Sequence, residues 1–79
     1  MEAVTRVIAR NDHTLYLEFR DGKKGIYGVK PLLEMPVFQP LKNLDHFKKA
    51  WVALNTVVWP GEVDIAPETL YLDCQEVAE

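Results

Sequence analysis

The chain has 79 residues, 48% of them hydrophobic, with a formal charge of −3 and a single cysteine. That length bounds it to one domain, 1–79, burying about 60–65% of the surface its unfolded form exposes, and the apolar fraction excludes a disordered chain. The acidic balance argues against a dedicated nucleic-acid binder, which needs a basic face, and one cysteine excludes both an intrachain disulfide and a thiolate-rich metal site.

Residues 4–10 (VTRVIAR) are rich in β-branched side chains and read as a strand. Asn11-Asp12-His13 follows as turn chemistry. Residues 14–20 (TLYLEFR) alternate: Leu15, Leu17 and Phe19 on one side, Tyr16, Glu18 and Arg20 on the other. A period of two buries the first set and turns the second toward water. Asp21-Gly22 is a hairpin signal, and residues 23–29 form a third strand. Gly25 and Gly28 within it mark a bulge or a close backbone approach.

Pro31, Pro36 and Pro40 break up the middle of the chain, so residues 31–49 are expected to hold only short helical turns. Leu32, Leu33, Val37, Phe38 and Leu41 supply apolar mass there. Asn43 is placed to cap a turn over 44–49. Residues 50–53 and 56–59 read as a second strand pair turning at Leu54-Asn55. Pro60-Gly61 breaks the chain, and Pro67 suits the first turn of a C-terminal helix. Leu70, Tyr71, Cys74, Val77 and Ala78 would share its apolar face. The predicted fold class is therefore α+β, a small antiparallel sheet with short helical turns and a short helix from about residue 67.

The chemistry-bearing residues are sparse. Gly22, Gly25 and Gly28 recur every three residues, but no Ser or Thr follows Lys23 as a phosphate loop requires. His13 and His46 are isolated and expected in solvent. Cys74 lies between acids and on an apolar face, so it is expected as a small buried hydrophobe. Glu62 and Asp64 could pair as carboxylates, but Asp64 is better placed as a cap for the helix at Pro67. Lys23-Lys24, Lys48-Lys49 and the set Arg6, Arg10 and Arg20 could form a basic surface; solvated strand edges are the plainer reading. Trp51, Trp59, Tyr27 and Tyr71 are expected mostly in the core, whereas Tyr16 points outward and is the candidate partner contact. No catalytic residue, cofactor or metal site is expected.

Met1-Glu2-Ala3 lacks a basic segment followed by an apolar run, and the apolar runs 50–54 and 57–59 are too short to span a bilayer. The expected setting is a reducing cytoplasm, without membrane contact.

Leu17, Phe19, Asp21-Gly22, Pro31-Leu32-Leu33, Phe38, Leu41, Phe47, Val57-Val58-Trp59-Pro60 and, above all, Asp64-Ile65-Ala66-Pro67-Glu68-Thr69-Leu70-Tyr71 resemble a family of short bacterial proteins known as domain of unknown function 2442. The resemblance covers roughly residues 4–72. It implies a compact α+β domain on an antiparallel sheet, with Trp59, Pro60, Asp64, Pro67 and Leu70 as fold-determining positions. Some members carry a helix-turn-helix after this domain, and others stand beside a second small protein, which implies two-gene, toxin–antitoxin-like pairs. No enzyme activity is established for the family. This chain shows no helix-turn-helix after residue 72, so direct DNA binding is not implied. It has Gly28 where the family often has an acid before the Pro31-Leu32-Leu33 run.

The expected function is a non-enzymatic small binding module, possible half of a two-gene regulatory or toxin–antitoxin-like pair. It would contact another protein, or itself as a homodimer, through a sheet face or strand edge. One alternative is a nucleic-acid-associated accessory of a transcription regulator, acting through Arg6, Arg10 and Arg20. A second is a small metal-binding protein or enzyme using Glu62, Asp64 and a histidine.

Overall fold

A computed structural model describes residues 2–77 of the chain. Strands β1 (Val4–Ala9), β2 (Thr14–Phe19) and β3 (Lys24–Gly28) come first. Two 3-10 segments, Lys30–Glu34 and Pro36–Lys42, lead into the single turn α1 (Leu44–Phe47). Strands β4 (Trp51–Ala53), β5 (Thr56–Trp59) and β6 (Val63–Ile65) precede helix α2 (Pro67–Asp73) and the short strand β7 (Gln75–Glu76). The α+β antiparallel class read from the sequence is the class observed. Its five predicted strands form within one residue of their expected bounds, but they divide between two sheets, ordered β1-β2-β3-β7 and β4-β5-β6.

Turn chemistry sets these ladders. Backbone bonds from Arg10 N to Thr14 O and from Phe19 N to Lys23 O close the β1–β2 and β2–β3 turns around three residues each, and each trio ends on a left-handed residue, His13 (φ 62°) and Gly22 (φ 96°). Gly22 takes that conformation freely, whereas His13 is held there by contacts described below. The loop joining β4 to β5 has just two residues, Leu54 and Asn55, both at positive φ (54° and 67°). That is the mirror-image turn matched to strand twist, and Asn or Gly is its usual occupant. A leucine in the left-handed region costs roughly 1–2 kcal/mol.

The expected irregularity in β3 lies elsewhere. The bulge falls in β1, between Val4 and Arg6. It lets both Val4 and Val7 face Phe19 and Leu17 on the inner side. Gly25 is instead the close approach, since a Cβ there would land on Cys74 Sγ, whereas Gly28 faces open space.

One core joins the sheets. Leu15, Leu17 and Phe19 of β2 and Tyr27 of β3 cluster with Val57 and Trp59 of β5, Val63 and Ile65 of β6, and Leu70 of α2. Leu33, Phe38, Leu41 and Phe47 from the middle segment belong to the same cluster. Trp59, at 1% exposure, donates its indole N–H to Phe47 O at 2.8 Å and stacks on the Phe47 ring. Burying so large a ring, with its one polar atom bonded, stabilises by at least about 2–3 kcal/mol. A backbone bond from Val4 N to Asn55 O ties sheet one to the tip of the β4–β5 hairpin.

Four sequence expectations change. Asp64 does not cap α2: it lies exposed on β6, and Ala66 stands at the cap position with no side-chain bond. Helix α2 ends at Asp73, so Cys74 caps it and Val77 lies beyond β7 with its N–H bonded to Lys24 O. Ala78, expected on the helical face, lies outside the described residues. Neither histidine is free in solvent: both are half-buried, His13 Nε2 donating to Leu41 O (2.9 Å) against the Phe47 ring and His46 Nε2 donating to Pro60 O (3.1 Å). Trp51, grouped with the core aromatics, is 47% exposed. Asn43 does cap α1, accepting from His46 N. Among the described residues no helix is long and apolar enough to cross a membrane.

Candidate functional site

The outward face of sheet one carries the sequence-predicted contacts. Ladder register sets Ile8 opposite Tyr16 and Tyr16 opposite Ile26, and in the next row Arg6 opposite Glu18 and Glu18 opposite Lys24. Arg6 Nη1 lies 3.2 Å from Glu18 Oε2, and Tyr16 donates its O–H to the same oxygen at 2.8 Å. The Tyr16 hydrogen bond chiefly, with the Arg6 charge nearby, holds the Glu18 carboxyl below its ordinary range. Tyr16 is thus half-buried and tied down.

The three arginines do not gather. Arg10 N bonds Thr14 O at one end of the β1–β2 ladder, and Arg20 N bonds Ala3 O at the other. Strand rise separates those ends by about 20 Å. Arg6 lies between them, paired to Glu18. This is a cross-linked polar face more than a basic patch.

The other predicted positions are structural. Pro60 supplies the carbonyl that His46 holds, Pro67 opens α2, and Leu70 is fully buried. Cys74 is buried against Gly25, and burial pushes its thiol pKa up, the opposite of what a nucleophile requires. Tyr71 donates to Asp21 Oδ2 at 2.5 Å, and Lys23 Nζ donates to Tyr71 O at 2.5 Å while lying over the Tyr71 ring. That bond pushes the Tyr71 phenol up and the Asp21 carboxyl down. The cluster fastens the β2–β3 turn to α2. Among the described residues no three His, Cys, Asp or Glu side chains gather as metal ligands.

Sequence reasoning missed the outward face of sheet two. Register places Trp51 opposite Val58 and Val58 opposite Asp64, one row across β4, β5 and β6. Leu54, 87% exposed, stands at the hairpin tip beside it. Leu54, Val58, Glu62, Val63 and Asp64 line an open depression with a cavity volume of about 250 Å³. Neither the Glu62 nor the Asp64 carboxylate has a hydrogen-bond or ion-pair partner among the described residues. Two signals were present in the sequence. Residues 57–59 are all apolar, so burying Val57 and Trp59 must turn Val58 outward. Leucine also occupies a turn position that favours Asn or Gly.

No curated protein and no solved structure matches the chain. A family model does, that of the proteins of unknown function designated DUF2442, and it matches residues 4–76, from the first residue of β1 to the last of β7. The chain belongs to this family.

Proposed function

We propose that this chain is a non-enzymatic binding module that holds another protein through an outward sheet face. It would work as one half of a two-gene regulatory or toxin–antitoxin-like pair in a bacterial cytoplasm. The observation that carries this reading is the apolar outward row of sheet two. Trp51 and Val58 there, with Leu54 beside them, have no polar ties, and in a domain this small such side chains are more useful in an interface than in water. The outward face of sheet one exposes Ile8 as well, but its Glu18 carboxylate is already held by Arg6 and Tyr16, and Cys74 is buried. With Arg6 paired to Glu18 and Arg10 far from Arg20, the nucleic-acid alternative gains no support from geometry.

Affinity capture from the native host at near-native expression tests the reading, with protein mass spectrometry and ultraviolet absorbance as readouts. One stoichiometric protein partner is the expected result. Nucleic acid that washes off with salt would overturn it in favour of the regulator-accessory alternative. Recovery of the chain alone would also overturn it.

A further inference from the structure

We infer that the outward face of β4–β5–β6 docks a partner-protein segment that carries an apolar anchor flanked by lysine or arginine. This rests on the protein-binding reading above and adds which face is used and what chemistry it recognises. The anchor's place is the depression between Leu54, Val58 and Val63. The flanking charge is set by Glu62 and Asp64, which rim that depression with no cation among its lining residues. Both carboxylates lie exposed and without partners among the described residues, so a cation brought there meets unspent negative charge. Trp51 extends the apolar row on the far side of Val58. Three of the basic side chains are engaged elsewhere: Lys48 reaches Asn11, Lys23 is held at Tyr71, and Arg6 is paired to Glu18. An acidic segment would therefore meet repulsion at this depression, and a purely polar one would leave Leu54 and Val58 in water.

Leu54 is the second strand of evidence for an apolar anchor. It occupies a left-handed turn position, its side chain packs into nothing, and asparagine would fit the same turn better. A strained residue without a folding role points to selection for contact.

The test uses the full chain and a short synthetic peptide with a leucine pair flanked by lysines. Control peptides carry glutamates in place of the lysines, or serines in place of the leucines. Binding is read from the emission of the exposed Trp51, with W51F as the spectroscopic blank, and confirmed by calorimetry. The expected result is saturable binding of the lysine–leucine peptide alone, weakening as salt rises. E62K and D64K should each weaken it roughly fivefold and L54N roughly tenfold, with no thermal midpoint lowered. Equal binding of the glutamate or serine peptide, or indifference to E62K and D64K, overturns the inference. So does a dimer by sedimentation that L54N abolishes while no peptide binds, because the face then belongs to a second copy. If host capture yields a partner that E62K/D64K and L54N both retain, this inference fails while the binding-module reading stands.

Discussion

On the outward face of sheet one, Arg6 and Tyr16 both bond the Glu18 carboxylate, and Lys24 stands opposite it. On the outward face of sheet two, Trp51, Val58 and Leu54 stand with unpartnered carboxylates at their edge. The two tryptophans mark the contrast within one sheet: Trp59 is 1% exposed with its indole bonded, and Trp51, on the neighbouring strand, is 47% exposed. Both sheets bury one side in the same core. The first pairs its outward charges internally, although Ile8 is exposed there too, whereas the second leaves two carboxylates unpaired beside its apolar row among the described residues.

The largest effect that could break this contrast is at the tryptophans. W59A should cost about 3–5 kcal/mol, enough to unfold much of so small a domain, through the lost ring and the orphaned Phe47 carbonyl. W51A should cost less than about 1 kcal/mol. Urea denaturation followed by circular dichroism compares them, and equal losses would mean the two sides of sheet two are alike. Next is G25A on the inner side of sheet one. Its new methyl meets Cys74 Sγ, Cys74 Cβ and Gln75 O, so a loss of about 1–3 kcal/mol is expected. Adding C74A should restore only part of it, since the Gln75 carbonyl remains in the way.

Acid should sharpen the comparison further. Glu18 is held below its ordinary pKa by Tyr16, and Asp21 by Tyr71. A carboxyl whose folded pKa is depressed adds stability that is fully present above its unfolded value, about 4, and is lost as pH falls through the folded value. Stability should therefore fall below about pH 4, and Y71F and Y16F should each flatten that fall, as denaturation midpoints across pH would record. The smallest effect is L54N, which should be neutral or stabilising by up to about 1 kcal/mol in thermal melting. A clear loss would mean that Leu54 serves the fold.

How much was legible in the sequence follows from the length of each signal. Five strands show through alternation, β-branched content or flanking turn residues, as in residues 14–20 before Asp21-Gly22, and three-residue β4 shows only because its turn and partner strand β5 follow at once. Strand β6 has three residues between Gly61 and Pro67, too few to show a period, so Asp64 read as a cap. Strand β7 was hidden because Leu70, Tyr71, Cys74 and Val77 keep helical spacing past the point where the helix stops. No base closes the last turn of α2, and Gln75 and Glu76 pair with Ile26 and Gly25 instead. The histidines were misread because their acceptors, Leu41 O and Pro60 O, are set by tertiary folding. Of the candidate site, Tyr16 was seen facing outward, but its bond to Glu18 was not. The exposed row of sheet two was missed because aromatic composition cannot tell which side of a short strand is covered.

The meeting of Gly25 with Cys74 bears on the order in which the chain is made. The β1–β2, β2–β3, β4–β5 and β5–β6 ladders each join strands adjacent in sequence, so they can form as soon as both strands have emerged. The β3–β7 ladder and the Cys74 contact reach back some fifty residues and must wait. Until residues 67–76 leave the ribosome, the Gly25 groove and the Phe19 ring that meets Tyr71 edge-on stay open to whatever apolar surface is nearby. A ribosome paused just before that segment would hold a nascent chain with its hairpins formed and its core unsealed, the species on which a chaperone would act.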